Sequence, residues 1–213
     1  MIVFSIAKWL SIGAAVYLGL AVLLYWLAFR SRSGSDVFKA IIARLNGYGF
    51  VGAAGSVLQS TDADCGAASV EVVLRQRGIE LDERRLYGLR ASIGTSMLDL
   101  RDALAAFGVQ SNGVVCDGID ALMDVIKRGE LAIVNFDVGY VLSPSSLMLY
   151  PLRRVSGFAL RGRLSLFSHW VVFESVTPNG YLLVRDPYLG SLLMSPAQCS
   201  QAWNGHALVT SSS

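Results

Sequence analysis

Cysteine, histidine and charge are all scarce in this chain of 213 residues. Its three cysteines, Cys65, Cys116 and Cys199, form no Cys-x-x-Cys pair, and an odd number of thiols cannot all join in disulfides within one chain. The formal net charge is only +2, without the concentrated basic face and interleaved aromatic residues of a nucleic-acid-binding protein. We therefore expect a free thiol, either reactive or buried, and no DNA or RNA partner.

Motifs for bound nucleotides and metals are also absent. The sequence has no Gly-x-x-x-x-Gly-Lys-Ser/Thr loop, so we expect no ATP binding. The two histidines, His169 and His206, lie far from any paired cysteine, and no metal-ligand cluster is visible. The sequence predicts neither a metal nor an organic cofactor.

A long apolar run lies near the start of the chain. No residue from Trp9 to Phe29 is charged, and as a helix this run would span ~31 Å, close to the ~30 Å hydrocarbon core of a bilayer. Trp9, Tyr25 and Trp26 would lie at headgroup level. Residues 1–35 are therefore predicted to be a transmembrane anchor and linker. The alternative is a cleaved signal peptide, whose apolar region is usually shorter and ends in small residues.

Flanking charges bear on the orientation of this anchor. Lys8 lies on one side, and more basic residues lie on the other: Arg30, Arg32, Lys39 and Arg44. The positive-inside rule then favours a cytoplasmic main domain, and a periplasmic one stays open.

Two segments follow the anchor. Residues 36–56 are predicted to form an amphipathic helix, capped by Asp36 and ending at Asn46-Gly47, and then a flexible connector over Gly49–Gly55. Residues 57–213 are predicted to be the folded domain.

Helices dominate the first part of this domain. Apolar spacing and stop signals predict them from Asp64 to Arg77, from Asp82 to Leu89, from a capping box at Ser96–Asp99 to Gly108, and from Ile119 to Lys127. In the first helix, Glu71, Arg75 and Gln76 are expected on the outer face.

Strands dominate the second part. They are predicted over 131–136, 170–176 and 181–185, and Pro178-Asn179-Gly180 predicts a turn that joins the last two as an antiparallel hairpin. Helices followed by a sheet indicate an α+β fold.

Residues 138–167 form an unusual stretch between these strands, rich in apolar residues and arginine and without an acid. Such a stretch can bind to an anionic membrane surface or to a partner. It can equally be an ordinary buried hairpin with solvated arginines.

Cys65 opens the first helix of the domain. The positive end of the helix and its unpaired N–H groups stabilise a thiolate and lower its pKa. Gly66 leaves room for a substrate carbonyl, and the backbone N–H of Cys65 can point into the same space. Gln59 carries an amide six residues upstream. If both donors converge, they form an oxyanion hole.

His169 is the candidate base, because it begins a predicted central strand and can face a cleft from a rigid backbone. His206 is better explained as a surface or turn residue. Asp186 ends the next strand, so the hairpin would bring it beside His169 to orient the imidazole. Each residue also has a plainer explanation: Cys65 as a small buried hydrophobe, His169 as a core residue, Asp186-Pro187 as a turn.

Several motifs in matching order resemble the bacteriocin-processing, double-glycine leader peptidase family: Gln59, Asp64-Cys65-Gly66, Gly94-Thr95-Ser96, His169-Trp170-Val171-Val172 and Asp186-Pro187. The resemblance covers about Leu58 to Val209. It implies a papain-like fold, Cys65 as nucleophile, His169 and Asp186 as the rest of the triad, and Gln59 as an oxyanion donor. The family's usual substrate is a leader peptide cut after Gly-Gly.

Two features depart from that family. Most members are fused to an ABC exporter, whereas this sequence has one apolar run and no phosphate-binding loop. Residues 138–167 are an insertion where compact members have a short connection. The resemblance implies a cysteine endopeptidase, and the architecture of the chain adds the expectation that it is freestanding, is anchored in the bacterial inner membrane through Trp9–Phe29 and trims a peptide or protein for a secretion machine.

Two other classes of function stay open. One is a peptidase-like module that binds and presents an export substrate without cutting it, although such relatives typically lack the cysteine. The other is a thiol acyl transferase or amidase, which the same Cys/His chemistry permits.

Overall fold

One antiparallel sheet of seven strands organises the described part of the chain in the computed structural model. The strands are β1 (Gly49–Gly52), β2 (Ser111–Val115), β3 (Leu131–Asp137), β4 (Ser168–Val176), β5 (Leu182–Asp186), β6 (Gly190–Met194) and β7 (Trp203–Thr210). Their order across the sheet is β1-β6-β5-β4-β3-β7-β2, and every neighbouring pair is antiparallel.

The helices whose bounds the structure describes are α1 (Asp36–Leu45), α2 (Cys65–Gln76), α3 (Met97–Ala106), α4 (Ile119–Lys127) and α5 (Pro196–Ala202). The residues that the structure describes are 12–13, 15–17, 19, 36–45, 47–52, 54–58, 64–82, 85–86, 88–89, 95–137 and 168–211. The predicted α+β fold is confirmed.

Helices cover both faces of the sheet. Ile133 and Val172 pack with α2 and α3 in one core, whereas Val134 and Phe173 pack with α1, α4 and α5 in the other. Adjacent residues of a strand point to opposite faces, so both faces of the central strands β3 and β4 are buried. This burial explains why these strands read as continuous apolar runs instead of alternating ones.

Local signals account for the elements that were predicted correctly. The capping box is present, since Ser96 Oγ accepts from Asp99 N at 3.2 Å and Asp99 Oδ2 accepts from Ser96 N at 2.8 Å. The β4–β5 hairpin turns at Gly180, whose φ of 78° favours glycine. A helix was also predicted from Asp82 to Leu89. Of its described residues, the four at 85–86 and 88–89 are helical.

The predicted flexible connector over Gly49–Gly55 is wrong for its first four residues. They form β1, which pairs with β6 at the edge of the sheet. A Cβ at Gly49 would lie 3.1 Å from Leu193 Cβ, so this glycine permits the close pairing of β1 with β6. Ala43 of α1 is also part of the core. The folded unit therefore includes part of the segment 36–56, which was predicted to precede the folded domain.

A second correction concerns Glu71, which was expected on the outer face of α2. It is buried, at 3% exposure, and its Oε1 lies 2.5 Å from Nη2 of the exposed Arg75 one turn later. The sheet and α3 together cover more of the helix than its apolar stripe indicated. His206 is exposed as expected, but it lies in β7 and not in a turn.

Membrane association is addressed by one finding. Within the described ranges, no helix is long and apolar enough to cross a membrane. Most of the run Trp9–Phe29 lies outside those ranges, as does all of the segment 138–167. Both the anchor and the insertion therefore stay predictions.

Arg185 of β5 ties the 54–58 segment to the sheet. Its Nη2 donates to Glu174 Oε1 at 2.9 Å, its Nε also donates to that carboxylate, and its Nη1 donates to Ser191 Oγ and, at 2.7 Å, to Ala54 O. The side chains of Arg185 and Glu174 are only 11% and 17% exposed. One guanidinium thus joins β4, β5, β6 and the chain that follows β1.

We expect Arg185→Met to lower the free energy of unfolding by about 2–3 kcal/mol, because it leaves the mostly buried Glu174 carboxylate without its main partner. Urea denaturation measures the change. Arg101→Met is the matched control, since its partner Asp102 is exposed and the loss should be near zero. Equal, small losses in both variants would contradict the expectation.

Candidate active site

Cys65, His169 and Asp186 meet at one end of the central strand β4. Cys65 is the first residue of α2, His169 is the second residue of β4, and Asp186 is the last residue of β5. Because β4 and β5 are antiparallel, the end of β5 returns beside the start of β4. Helix α2 packs against β4 and carries Cys65 to the same place.

His169 and Asp186 form a buried pair. His169 Nε2 lies 3.1 Å from Asp186 Oδ1, and each side chain is 1% exposed. The same oxygen accepts from the backbone N–H groups of Tyr188 at 2.6 Å and Leu189 at 3.0 Å. Asp186 thus both stabilises the turn after β5, as its Asp-Pro sequence indicated, and holds the imidazole.

Cys65 completes the row of side chains. It is 8% exposed, and its sulfur hydrogen-bonds with His169 and accepts from the backbone N–H groups of Trp170 and Gly66. Since Asp186 occupies Nε2, the imidazole nitrogen left for the sulfur is Nδ1. The first helical bond of α2 is donated by Ala68, so the N–H groups before it have no acceptor inside the helix.

The charges of this row support one another. Burial opposes a thiolate, yet the hydrogen bond and positive charge of His169 lower the pKa of Cys65. Burial also opposes an imidazolium, yet the charge and hydrogen bond of Asp186, followed by those of Cys65, raise the pKa of His169 to about 10. Burial likewise opposes the carboxylate of Asp186, whose pKa is nevertheless lowered by His169. The three shifts therefore act in the same sense, toward a thiolate, an imidazolium and a carboxylate.

The other two thiols differ from Cys65. Burial raises the pKa of Cys199 to about 12. Burial, helped by the negative charge of Asp117, also raises the pKa of Cys116. Of the three cysteines, only Cys65 has a lowered pKa, which is the property that a nucleophile requires.

Two aromatic residues at the site had no predicted role. The Tyr188 ring packs on His169 with a centroid distance of 4.7 Å. Trp170 is 5% exposed, and its Nε1 donates to Thr95 O at 2.8 Å while its carbonyl accepts from Ser69 Oγ at 3.1 Å. The contact of Tyr188 with His169 could have been expected from sequence, because Tyr188 lies in the turn two residues after Asp186. No such indication existed for Trp170.

Gln59 lies outside the described residues, so its part in an oxyanion hole stays a prediction. In the described ranges, no group of three or more histidine, cysteine, aspartate or glutamate residues could hold a metal ion.

Sequence comparison finds relatives of modest identity. No family model matches the chain. It is 28% identical over 155 residues to Cysteine protease effector 1 of Escherichia coli, a match that covers 71% of this chain and 26% of that protein. It is 25% identical over 159 residues to the Probable functional amyloid protease FapD of Pseudomonas fluorescens, covering 70% of this chain and 57% of that protein. The chain thus spans about a quarter of the first relative and just over half of the second.

Structural comparison concerns the fold. A double-glycine-motif protease from an AMS/PCAT transporter, solved in complex with the leader peptide, superposes with a TM-score of 0.50 and 16% identity, over 74% of this chain and 91% of that one. The chain has the fold of the double-glycine peptidases. The resemblance predicted from the motifs is therefore confirmed, and its peptidase fold corresponds to the helices and antiparallel sheet described above.

We expect iodoacetamide to alkylate Cys65 below neutral pH, ahead of Cys116 and Cys199, because only the Cys65 thiol has a lowered pKa. Asp186→Asn removes the charge that raises the pKa of His169. The imidazolium then supports the thiolate less, and the Cys65 profile shifts to higher pH. Timed labelling between about pH 5 and pH 9, read by mass spectrometry, measures each thiol.

Asp117→Asn provides the control for this experiment. It should shift the profile of Cys116 to lower pH, since the Asp117 charge raises the pKa of that thiol, and leave Cys65 unchanged. Equal labelling of all three thiols across the pH range would argue against an activated Cys65.

Proposed function

We propose that this chain is a cysteine peptidase in which Cys65 is the nucleophile, His169 the general acid and base, and Asp186 the residue that orients His169. The observation that carries the proposal is the buried, hydrogen-bonded row from Cys65 to Asp186 at the N-terminus of α2. Cys199 provides the contrast, because burial alone raises its pKa, as expected of a structural cysteine.

The geometry supports a two-step acyl transfer. The Cys65 thiolate attacks the scissile carbonyl, and the oxyanion forms near the N–H groups of the first turn of α2, with Gln59 as the predicted second donor. The His169 imidazolium then gives its proton to the leaving amine, which leaves an acyl-enzyme. His169 next takes a proton from water, the water attacks the acyl group, and Cys65 leaves as a thiolate. Asp186 stays ionised throughout and fixes the imidazole.

The proposed substrate is a secreted peptide or protein cut after a Gly-Gly motif in support of a secretion machine. Three similarities support this choice: the motifs of the double-glycine family, the fold shared with a double-glycine-motif protease, and the sequence similarity to a protein named as a functional amyloid protease. The lowered pKa of Cys65 favours cleavage over a role that only binds and presents an export substrate.

We expect the detergent-solubilised protein to cut a peptide that contains Gly-Gly after the second glycine. Cys65→Ala should lower the rate by about a thousandfold or more, because it removes the attacking atom. Mass spectrometry of the products measures cleavage. Cys116→Ala is the matched control and should retain activity, since Cys116 lies outside the row.

Other outcomes separate the alternatives. A peptide that stays intact yet binds both wild type and Cys65→Ala would replace the peptidase with a presenting module. Transfer of the peptide to an added amine, in place of hydrolysis, would indicate an acyl transferase.

We further propose that residues 1–35 anchor the chain in the bacterial inner membrane, with the catalytic domain on the cytoplasmic side and residues 138–167 as an insertion in that domain. The uncharged run Trp9–Phe29 and the basic residues that follow it support this topology. On this proposal the chain processes a substrate for a secretion machine.

A reporter that works only in the cytoplasm is expected to be active when it is fused after Ser213, and one that works only in the periplasm is expected to be inactive. The reason is that the basic residues after Phe29 favour the cytoplasmic side for the part of the chain that follows the apolar run. Leu20→Arg places a charge within the apolar run and should move the fusion from the membrane fraction to the soluble fraction. An N-terminus shortened to beyond Phe29 in the mature protein would instead indicate a cleaved signal peptide.

A further inference from the structure

Thr95 carries a polar group near the nucleophile that the two-step mechanism does not use. It directly precedes the N-cap of α3 and is 8% exposed. Among the residues that the structure describes, its buried Oγ1 has no hydrogen-bond partner. A buried hydroxyl without a partner destabilises the folded protein, and a valine of nearly the same shape would avoid that cost.

The side chain of Thr95 lies directly against Gly66, the residue after Cys65. A Cβ at Gly66 would lie 2.7 Å from both Cβ and Oγ1 of Thr95 and 2.9 Å from its Cγ2. No side chain larger than hydrogen fits there without a shift of Thr95 or of α2. The unpaired hydroxyl is therefore at the first turn of the helix that presents the reactive sulfur.

Trp170 holds the sulfur and Thr95 in a fixed relation. Its backbone N–H donates to the sulfur of Cys65, and its indole Nε1 donates to the carbonyl of Thr95 at 2.8 Å. Trp170 is itself held by the 3.1 Å hydrogen bond from Ser69 Oγ to its carbonyl. The position of the hydroxyl thus depends on β4 and α2, which are the rigid elements that place Cys65 and His169.

The first turn of α2 is suited to an extended peptide. Apart from Gly66, whose N–H donates to the sulfur, the N–H groups before Ala68 have no acceptor inside the helix, so they can donate to carbonyl oxygens of a peptide. A peptide whose scissile carbonyl lies at Cys65 brings its own backbone N–H and C=O groups past the same turn. A hydroxyl can serve either group, because it both donates and accepts.

We propose that Thr95 Oγ1 binds the substrate, by a hydrogen bond to the peptide main chain beside the scissile bond. The hydroxyl lies against Gly66, the residue after the nucleophile, and a rotation of the Thr95 side chain would be needed to turn it to the peptide. The hydrogen bond forms only in the complex and breaks no internal one, so its free energy is available for recognition. This role rests on the proposed peptidase function.

Two substitutions and two reagents test the role. Thr95→Val keeps the shape and removes the hydroxyl, whereas Thr95→Ser keeps the hydroxyl. Iodoacetamide reports the thiolate alone, and a peptide chloromethyl ketone that ends in Gly-Gly reports recognition of the peptide at the same sulfur.

With Thr95→Val we expect an unchanged iodoacetamide rate and pH profile, an unchanged or raised melting temperature, and inactivation by the peptide ketone that is about five- to tenfold slower. Thr95→Ser should react with both reagents at close to the wild-type rate. Together these results would show that the hydroxyl acts on the peptide and not on the thiolate or the fold.

Opposite results are equally clear. If Thr95→Val reacts with the ketone as fast as wild type, or slows equally with both reagents, the hydroxyl does not bind the peptide. If the wild-type protein reacts with iodoacetamide but not with the ketone, the proposed peptidase function fails as well. The ketone rates of wild type and Thr95→Val therefore separate the failure of one idea from the failure of the other.

Discussion

His169 and Asp186, each 1% exposed, form the ion pair on which the rest of the site depends. A lone charge at either position would be destabilising, so each residue requires the other. The carboxylate is further supported by two backbone N–H groups of the turn after β5, and the imidazolium is supported by the sulfur of Cys65. The hairpin that joins β4 and β5 therefore places the pair whose imidazole lowers the pKa of Cys65.

The same pair links the folding of the protein to pH. The raised pKa of His169 adds stability that is complete below its ordinary value of 6.5 and is lost as the pH rises through about 10. The lowered pKa of Asp186 adds stability that is present above its ordinary value of 3.8 and is lost as the pH falls through its folded value. Both contributions are complete only in the mildly acidic range between those two ordinary values.

Elements with local signals were predictable from the sequence. The capping box at Ser96 and the turn at Gly180 depend on neighbouring residues, and the hairpin in turn predicted the approach of Asp186 to His169. Contacts between distant segments were not predictable from local signals, and the meeting of Cys65 with His169 was implied only by the family resemblance. Strand β1 has a glycine-rich sequence and becomes a strand only by pairing with β6, and the burial of Glu71 likewise depends on what covers α2. The packing of Thr95 on Gly66 was not predictable either, because it depends on how the residue before α3 contacts the first turn of α2.

Arg185 and Asp186 are neighbours in β5 and so point to opposite faces of the sheet. On one face, the guanidinium joins Glu174 to the chain after β1, and on the other, the carboxylate holds His169. Insertion of a single residue before them would place the Arg185 side chain where the Asp186 carboxylate now meets the imidazole. The active site therefore depends on the number of residues in β5 as well as on their identity.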